Sequence, residues 1–160
     1  MRRLAELNDL EAVFAIYMDA SVIPFLGFDP MPMEAFEPVF RDLIQSRCFF
    51  VYEVSGHIAG FYKASRHPGR ASHVAYLGTL AVAPQFQGQG VAHAMVAEAI
   101  DALCAAGAKR IELTVESDNT RGLAFYAKLG FEVEGKLRKF YKRSHEADYV
   151  DDYIMSKLFD

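Results

Sequence analysis

The stretch that most constrains the fold runs from Val82 to Ala92: Val82-Ala83-Pro84-Gln85-Phe86-Gln87-Gly88-Gln89-Gly90-Val91-Ala92. It lies between two strong patterns. Before it, Val74 to Val82 is short, apolar and rich in β-branched and aromatic residues, as a buried strand requires. After it, Ala92 to Ala106 is rich in Ala, Met, Leu and Glu and stops at Gly107, which reads as a helix. Pro84 ends the strand because it cannot donate to a ladder. Gly88 and Gly90 allow a tight turn that leaves backbone N–H groups uncovered. A strand, a Gly-containing turn and a helix N-terminus together form an anion site, with free amides and the positive end of the helix dipole aimed at one spot.

Two better-known anion loops are excluded. The dinucleotide fingerprint needs a third Gly, and Val91-Ala92-His93 supplies none. A P-loop needs Gly-Lys-Ser/Thr, which does not follow. A nucleotide-binding α/β domain is therefore disfavoured, and stabilisation by ATP or NAD would be needed to restore it.

The 160 residues are expected to form one domain, 1–160, large enough for a proper core. Apolar residues make up 52% and charged residues 24%, so the chain buries enough surface to fold. The net charge of −4 argues against a nucleic-acid surface. An anionic ligand must then be held by local groups, which suits backbone amides. Cys48 and Cys104 have neither disulfide-framework nor metal spacing, so no metal is expected. No apolar run reaches the roughly 20 residues of a membrane span, and no apolar signal core follows Met1. A cytoplasmic protein without membrane or nucleic-acid partners is the expectation.

In chain order, Arg2 to Glu6 reads as a short strand. Asn8 and Asp9 are good helix caps, and Leu10, Val13, Ile16, Tyr17 and Ala20 share one helical face, so a helix should reach about Ala20. Ser21 to Met33 holds Pro24, Pro30, Pro32 and Gly27 among Phe25, Leu26 and Phe28. It is too broken for regular structure and too apolar for a solvated loop. It either packs on the core or lines a pocket. A second helix to about Ser46 should kink or restart at Pro38. Cys48–Val54 and His57–Ser65 read as a hairpin around Ser55-Gly56. The strand His73–Val82 leads into the Gly loop. Lys109–Glu116 is the next strand. Its Ile111, Leu113 and Val115 share one face, and Arg110, Glu112, Thr114 and Glu116 the other. A short helix, Thr120–Leu129, stops at Gly130. The strands Phe131–Tyr141, with a bulge or break expected at Gly135, and Tyr149–Leu158 close the chain.

This order predicts an α/β (α+β) fold, a mixed, mainly antiparallel sheet with helices on both faces. The strands His73–Val82 and Lys109–Glu116 should be parallel, joined by a right-handed crossover helix. A ligand can enter where two such strands end side by side.

Two signatures carry a resemblance. Gln-x-x-Gly-x-Ala, at Gln87, Gly90 and Ala92 and preceded by Leu80-x-Val82-x-Pro84, resembles the acyl-CoA pyrophosphate loop of the GNAT N-acyltransferase superfamily. Asn119-x6-Tyr126-x3-Gly130-Phe131 resembles its second signature, an Asn that opens the last long helix and a Tyr two turns along. The resemblance covers essentially the whole chain. Arg110–Val115, Gly130–Gly135 and Tyr149–Met155 look like the branch holding bacterial L-amino acid N-acetyltransferases. The resemblance implies a GNAT-like sheet whose parallel strand pair splays around the acyl-CoA site, with acetyl-CoA as cosubstrate. Backbone groups of Leu80, Ala81 and Val82 would hydrogen-bond the pantetheine arm. Amides of Gln87, Gly88, Gln89, Gly90, Val91 and Ala92 would hold the pyrophosphate. Asn119 would sit near the pantetheine, and Tyr126 would point its hydroxyl at the sulfur as the catalytic acid. A homodimer is expected by family analogy alone.

The implied reaction moves an acetyl group directly from thioester to amine. The amine must lose its proton, the carbonyl oxygen needs a donor as it gains charge, and the departing sulfur benefits from a donated proton. The base is not legible. Many relatives carry a carboxylate on the strand before the loop, and His73–Val82 has none. His73, Tyr76, Glu112, Glu116, Tyr149 and Asp151 remain open. The acceptor is expected to be a small amine, an L-amino acid or relative. Pro24–Phe28 would meet an apolar side chain and Arg70 a free carboxylate. Acetylation of a peptide or protein N-terminus, and a non-catalytic acyl-CoA sensor, are the competing readings.

Overall fold

The computed structural model describes residues 1–160. The elements are β1 (Arg2–Leu4), α1 (Leu10–Tyr17), α2 (Met33–Gln45), β2 (Phe49–Val54), β3 (His57–Arg66), β4 (Val74–Val82), α3 (Val91–Ala105), β5 (Arg110–Glu116), α4 (Thr120–Lys128), β6 (Glu132–Tyr141) and β7 (Val150–Leu158). The seven strands form one sheet in the order β1-β2-β3-β4-β5-β7-β6, antiparallel throughout except for β4 and β5. The expected mixed, mainly antiparallel sheet and its parallel pair are borne out. No helix is long and apolar enough to cross a membrane.

Each sheet face carries its own core. On one face, α1 and α2 bury Tyr17, Phe36 and Phe40 against Phe49 and Phe61 of the sheet. Tyr17 stacks on Phe61 at 5.6 Å between ring centroids. On the other face, α3 buries Met95, Val96 and Ala99 against Ile111, Leu113 and Val115 of β5. The alternation along β5 therefore sorts as its period of two requires. Burying each such aromatic or aliphatic side chain contributes about 1.5–3 kcal/mol.

Four local readings shift. Helix α1 ends at Tyr17, three residues short of Ala20, and a 3-10 turn over Ile23–Phe25 follows within the Pro-rich segment. Asp9 does not cap α1. It is buried, takes both Arg3 Nη atoms at 2.8 Å and accepts the Glu6 N–H, so the ion pair claims it. Helix α2 continues through Pro38 without a restart. The loss of one helical hydrogen bond there is outweighed by the burial of Phe36 and Phe40 on either side. Strand β4 starts at Val74 rather than His73. The irregularity expected at Gly135 is present, as a register shift between Val133 and Gly135 against β7.

What positions the site is the brevity of the parallel pairing. Only Val74, Ala75 and Tyr76 of β4 face β5, opposite Arg110, Ile111 and Glu112. Beyond them the strands part. Within β4, pairing to β3 also slips: Gly78 faces Lys63 and Ala81 faces Phe61, so Thr79 and Leu80 are left opposite Tyr62. Thr79 takes φ +48°, a bulge conformation that bends the strand.

Candidate active site

The parted strands open a groove of about 480 Å³, walled on one side by Leu80, Ala81 and Val82 and on the other by Asn119, Phe125 and Tyr126. The β4 edge that faces β5 has no strand partner past Tyr76. It presents backbone groups to an extended ligand as a neighbouring strand would.

The Gly loop closes one end. A 3-10 turn over Pro84–Phe86 leads to Gly88 (φ +72°) and Gly90 (φ +80°), and Gly90 caps α3 with no side-chain hydrogen bond. Gly90 is required because a Cβ in this left-handed conformation is strained. The two glutamines brace the loop. Gln87 Nε2 donates to Val82 O at 3.0 Å and Gln89 Nε2 to Gln85 O at 2.7 Å. The Gln87 N–H is committed to Pro84 O, while the amides of Val91 and Ala92 precede the first helical bond, Ala94 N–H to Gly90 O. A cavity of about 210 Å³ over these residues is also lined by His93 and Arg121. Arg121 borders both cavities, although neither sequence signature singles it out. Arg121→Ala is expected to raise KM for acetyl-CoA about fivefold, the scale of an exposed charge pair. The gap should close at high salt. An unchanged KM at low ionic strength would remove Arg121 from the site.

Asn119 opens α4: its Oδ1 accepts the Gly122 N–H at 2.9 Å, and its Nδ2 lies 3.5 Å from Glu116 Oε2. Gly122 is the residue that fits beneath it, since a Cβ there would lie 2.6 Å from Asn119 Nδ2. Two turns on, Tyr126 packs edge-on to Phe125 and Phe131. Burial first, then the charge of Glu116, holds its hydroxyl well above the ordinary tyrosine value.

A third cavity, about 240 Å³, lies between the Pro-rich segment and the end of β6, with Ile23, Pro24, Phe28, Tyr141 and Arg143 in its lining. The segment thus does both things open to it: Val22, Ile23 and Leu26 are buried in the core, while Pro24 and Phe28 line a pocket. Arg143, only 5% exposed, locks the pocket's walls. Its Nε donates to Pro24 O at 2.8 Å and its Nη1 to Asp118 Oδ2 at 2.7 Å. Phe25 and Tyr141 lie 5.5 and 5.3 Å from the guanidinium. Arg143 was missed because one Arg in a polar turn gives no periodic signal.

The candidate bases separate. Glu112 is engaged by His67 and Arg110, at 2.7 and 2.9 Å. Asp151 is held by the Lys139 N–H and Lys136. Tyr149 is exposed beside Lys139 and Lys142. His73 lies exposed just before β4, at the end away from the loop. Arg70 sits in the exposed turn before that same end, so it cannot meet a carboxylate in the groove. Tyr76 stays at the parting point, its hydroxyl 3.1 Å from Thr114 Oγ1. Glu116 is buried at the C-terminal end of β5, its carboxyl pushed up to about 7 by burial and by the Asp152 charge. No cluster of three His, Cys, Asp or Glu is placed to hold a metal ion.

Residues 10–131 match the Acetyltransferase (GNAT) family. The chain is 38% identical to the L-amino acid N-acetyltransferase AaaT of Escherichia coli, over 98% of this chain and 96% of that protein. It is 31% identical to the N-alpha-acetyltransferase RimI of Mycobacterium tuberculosis, over 79% and 77%. The fold matches the crystal structure of a ribosomal-protein-alanine N-acetyltransferase from Brucella melitensis with a TM-score of 0.79 at 22% identity, over 99% of both chains.

Proposed function

The chain belongs to the GNAT acetyltransferase family, and from that premise we propose that it acetylates the amine of a small L-amino acid or close relative, using acetyl-CoA. The observation that carries the finer reading is the 240 Å³ pocket beside the groove, where Ile23, Pro24 and Phe28 face a charged rim of Asp29, Lys142 and Arg143. That volume lies below the roughly 300–1,000 Å³ of drug-sized sites and suits a small acceptor with an apolar side chain. The 38% identity to an L-amino acid N-acetyltransferase supports the same class.

The residues fit acetyl-CoA. The free β4 edge at Leu80–Val82 suits an amide-bearing arm, and the loop amides from Gly88 to Ala92 suit a pyrophosphate. A β4 N–H donated to the carbonyl oxygen as it gains charge would contribute about 10²–10³-fold. The Tyr126 hydroxyl, which no protein group engages, is free to hydrogen-bond the departing sulfur.

The test is thiol release from acetyl-CoA with free L-amino acids, their methyl esters and short peptides. Apolar L-amino acids should turn over, and their esters at least about tenfold more slowly if the carboxylate is read by hydrogen bonds to a charged group, which the ester cannot form with equal strength. Equal turnover of acid and ester would sink the carboxylate recognition. Preference for peptides would instead favour the N-terminal acetyltransferase reading, which the 31% identity to an N-alpha-acetyltransferase supports.

A further inference from the structure

We propose that Glu116 and Asp152 form the station that receives the acceptor's protonated amine, and that Glu116 is the base that takes its proton. This inference rests on the acetyltransferase reading above. The two residues are direct cross-strand partners in the β5–β7 ladder. Both are buried, at 8% and 3% exposure. Like charges directly opposite one another on a sheet repel, and a buried carboxylate without a partner is costly. Yet no cation closes on this pair. Arg143, whose charge reaches both, is committed to Asp118, Glu146 and Pro24. Asp152 Oδ1 is buried and makes no hydrogen bond at all. Such a site is complete only when a cationic hydrogen-bond donor enters it, and an ammonium group is that ligand.

Its position is right for the reaction. Glu116 is the last residue of β5, beyond the point where β5 leaves β4. From α4 it is faced by Asn119 and Tyr126, and from the end of β6 and the turn beyond it by Tyr141 and Arg143. Asp152 is faced by Thr114 of β5, by Arg143, by Asp118 and by its neighbour Asp151. The Glu116 charge is felt at the Tyr126 hydroxyl, so base and acid lie near one another. The step balances simply: one N–H bond of the ammonium breaks, an O–H bond forms on Glu116, and the freed nitrogen lone pair attacks the acyl carbon. Glu116 then returns its proton to water. A carboxyl near 7 is matched to this work at neutral pH, and β4 offers no carboxylate of its own. Asp152 is a positioning residue. Its charge helps hold the Glu116 proton affinity up.

The experiment is the pH profile of kcat/KM on the best acceptor of the panel, for wild type, Glu116→Gln and Asp152→Asn, with stabilisation by acetyl-CoA as the folding control. Wild type should lose activity below about pH 7, where Glu116 is protonated. Glu116→Gln should fall about 100-fold or more at pH 7, lose that limb, and keep rising with pH as the free amine becomes more abundant. Asp152→Asn should move the limb to lower pH. Glu116→Gln activity within about threefold of wild type with an unchanged limb would overturn the assignment, as would an unmoved limb in Asp152→Asn. So would loss of acetyl-CoA stabilisation in Glu116→Gln, which would make the residue structural. A wild-type chain that turns over no amine would sink the acetyltransferase reading itself, whereas a fully active Glu116→Gln sinks this step alone.

Discussion

Tyr126→Phe is expected to lower kcat about 100-fold while leaving KM for acetyl-CoA within about twofold. The size follows from the hydroxyl's setting. Burial and the neighbouring Glu116 charge hold its proton more tightly than in an ordinary tyrosine. A thiol ordinarily releases its proton near pH 8.5 and a tyrosine near 10, so outright transfer from this hydroxyl to the sulfur runs uphill. On the proposed mechanism the hydroxyl would act mainly as a hydrogen-bond donor to the developing thiolate, which puts the loss at the lower end of the 10²–10⁴ range for general-acid help. The ring remains in Phe, so its packing against Phe125 and Phe131 is preserved and the fold should not suffer. Steady-state kinetics on the wild type and the variant decide the matter. A kcat within about threefold of wild type would remove Tyr126 from the chemistry, and a large rise in KM instead would make it a binding residue.

The site exists because β4 changes partners twice within a few residues. It leaves β5 after Tyr76 and slips against β3 between Gly78 and Ala81. The first event opens a strand-shaped gap. The second bends the free edge, with Thr79 in the left-handed region carrying the bend. A ligand that adds to this edge replaces the missing strand.

The sequence makes the elements legible where one period dominates. The β5 alternation of Ile111, Leu113 and Val115 against Arg110, Glu112 and Thr114 sorts fully buried residues from half-buried polar ones. The Gly107 and Gly130 helix stops were readable for the same reason: both take positive φ. The proposed acyl-CoA side is a local motif, so Gly88 to Ala92 could be singled out by their resemblance to the family's signature. The proposed acceptor side could not. It would be assembled from Pro24, Asp118, Tyr141 and Arg143, which lie far apart in the chain and meet only through tertiary packing. Arg70 drew attention because it precedes the central strand, but it lies at the wrong end of it. Glu116 and Glu112 looked alike as outward residues of one strand. Only the parting of β4 from β5 and the register with Asp152 separate a buried carboxyl from one tied up in ion pairs.

That buried carboxyl should also be visible in stability. Glu116→Gln is expected to stabilise the ligand-free protein by up to about 3 kcal/mol at pH 8. The folded protein holds the Glu116 proton to about pH 7, against an ordinary value of 4.5. Each unit of difference corresponds to about 1.4 kcal/mol. Because the folded value is raised, the native state binds more protons than the unfolded chain between these two values. Stability is therefore greatest below the unfolded value and declines as pH climbs from about 4.5 to 7, with the full penalty present above. Glutamine removes the charge, and with it the penalty, while retaining a polar group in the same place. The gain should accordingly shrink as pH falls and vanish near pH 4.5. Urea titrations of both proteins at pH 8 and pH 5 measure it. Equal stability at pH 8 would mean that Glu116 is solvated or paired there. A gain at pH 8 joined to the loss of turnover would tie one residue to both effects: the charge that destabilises the resting fold is the one that removes the proton from the acceptor, the exchange of stability for activity expected of an active-site group.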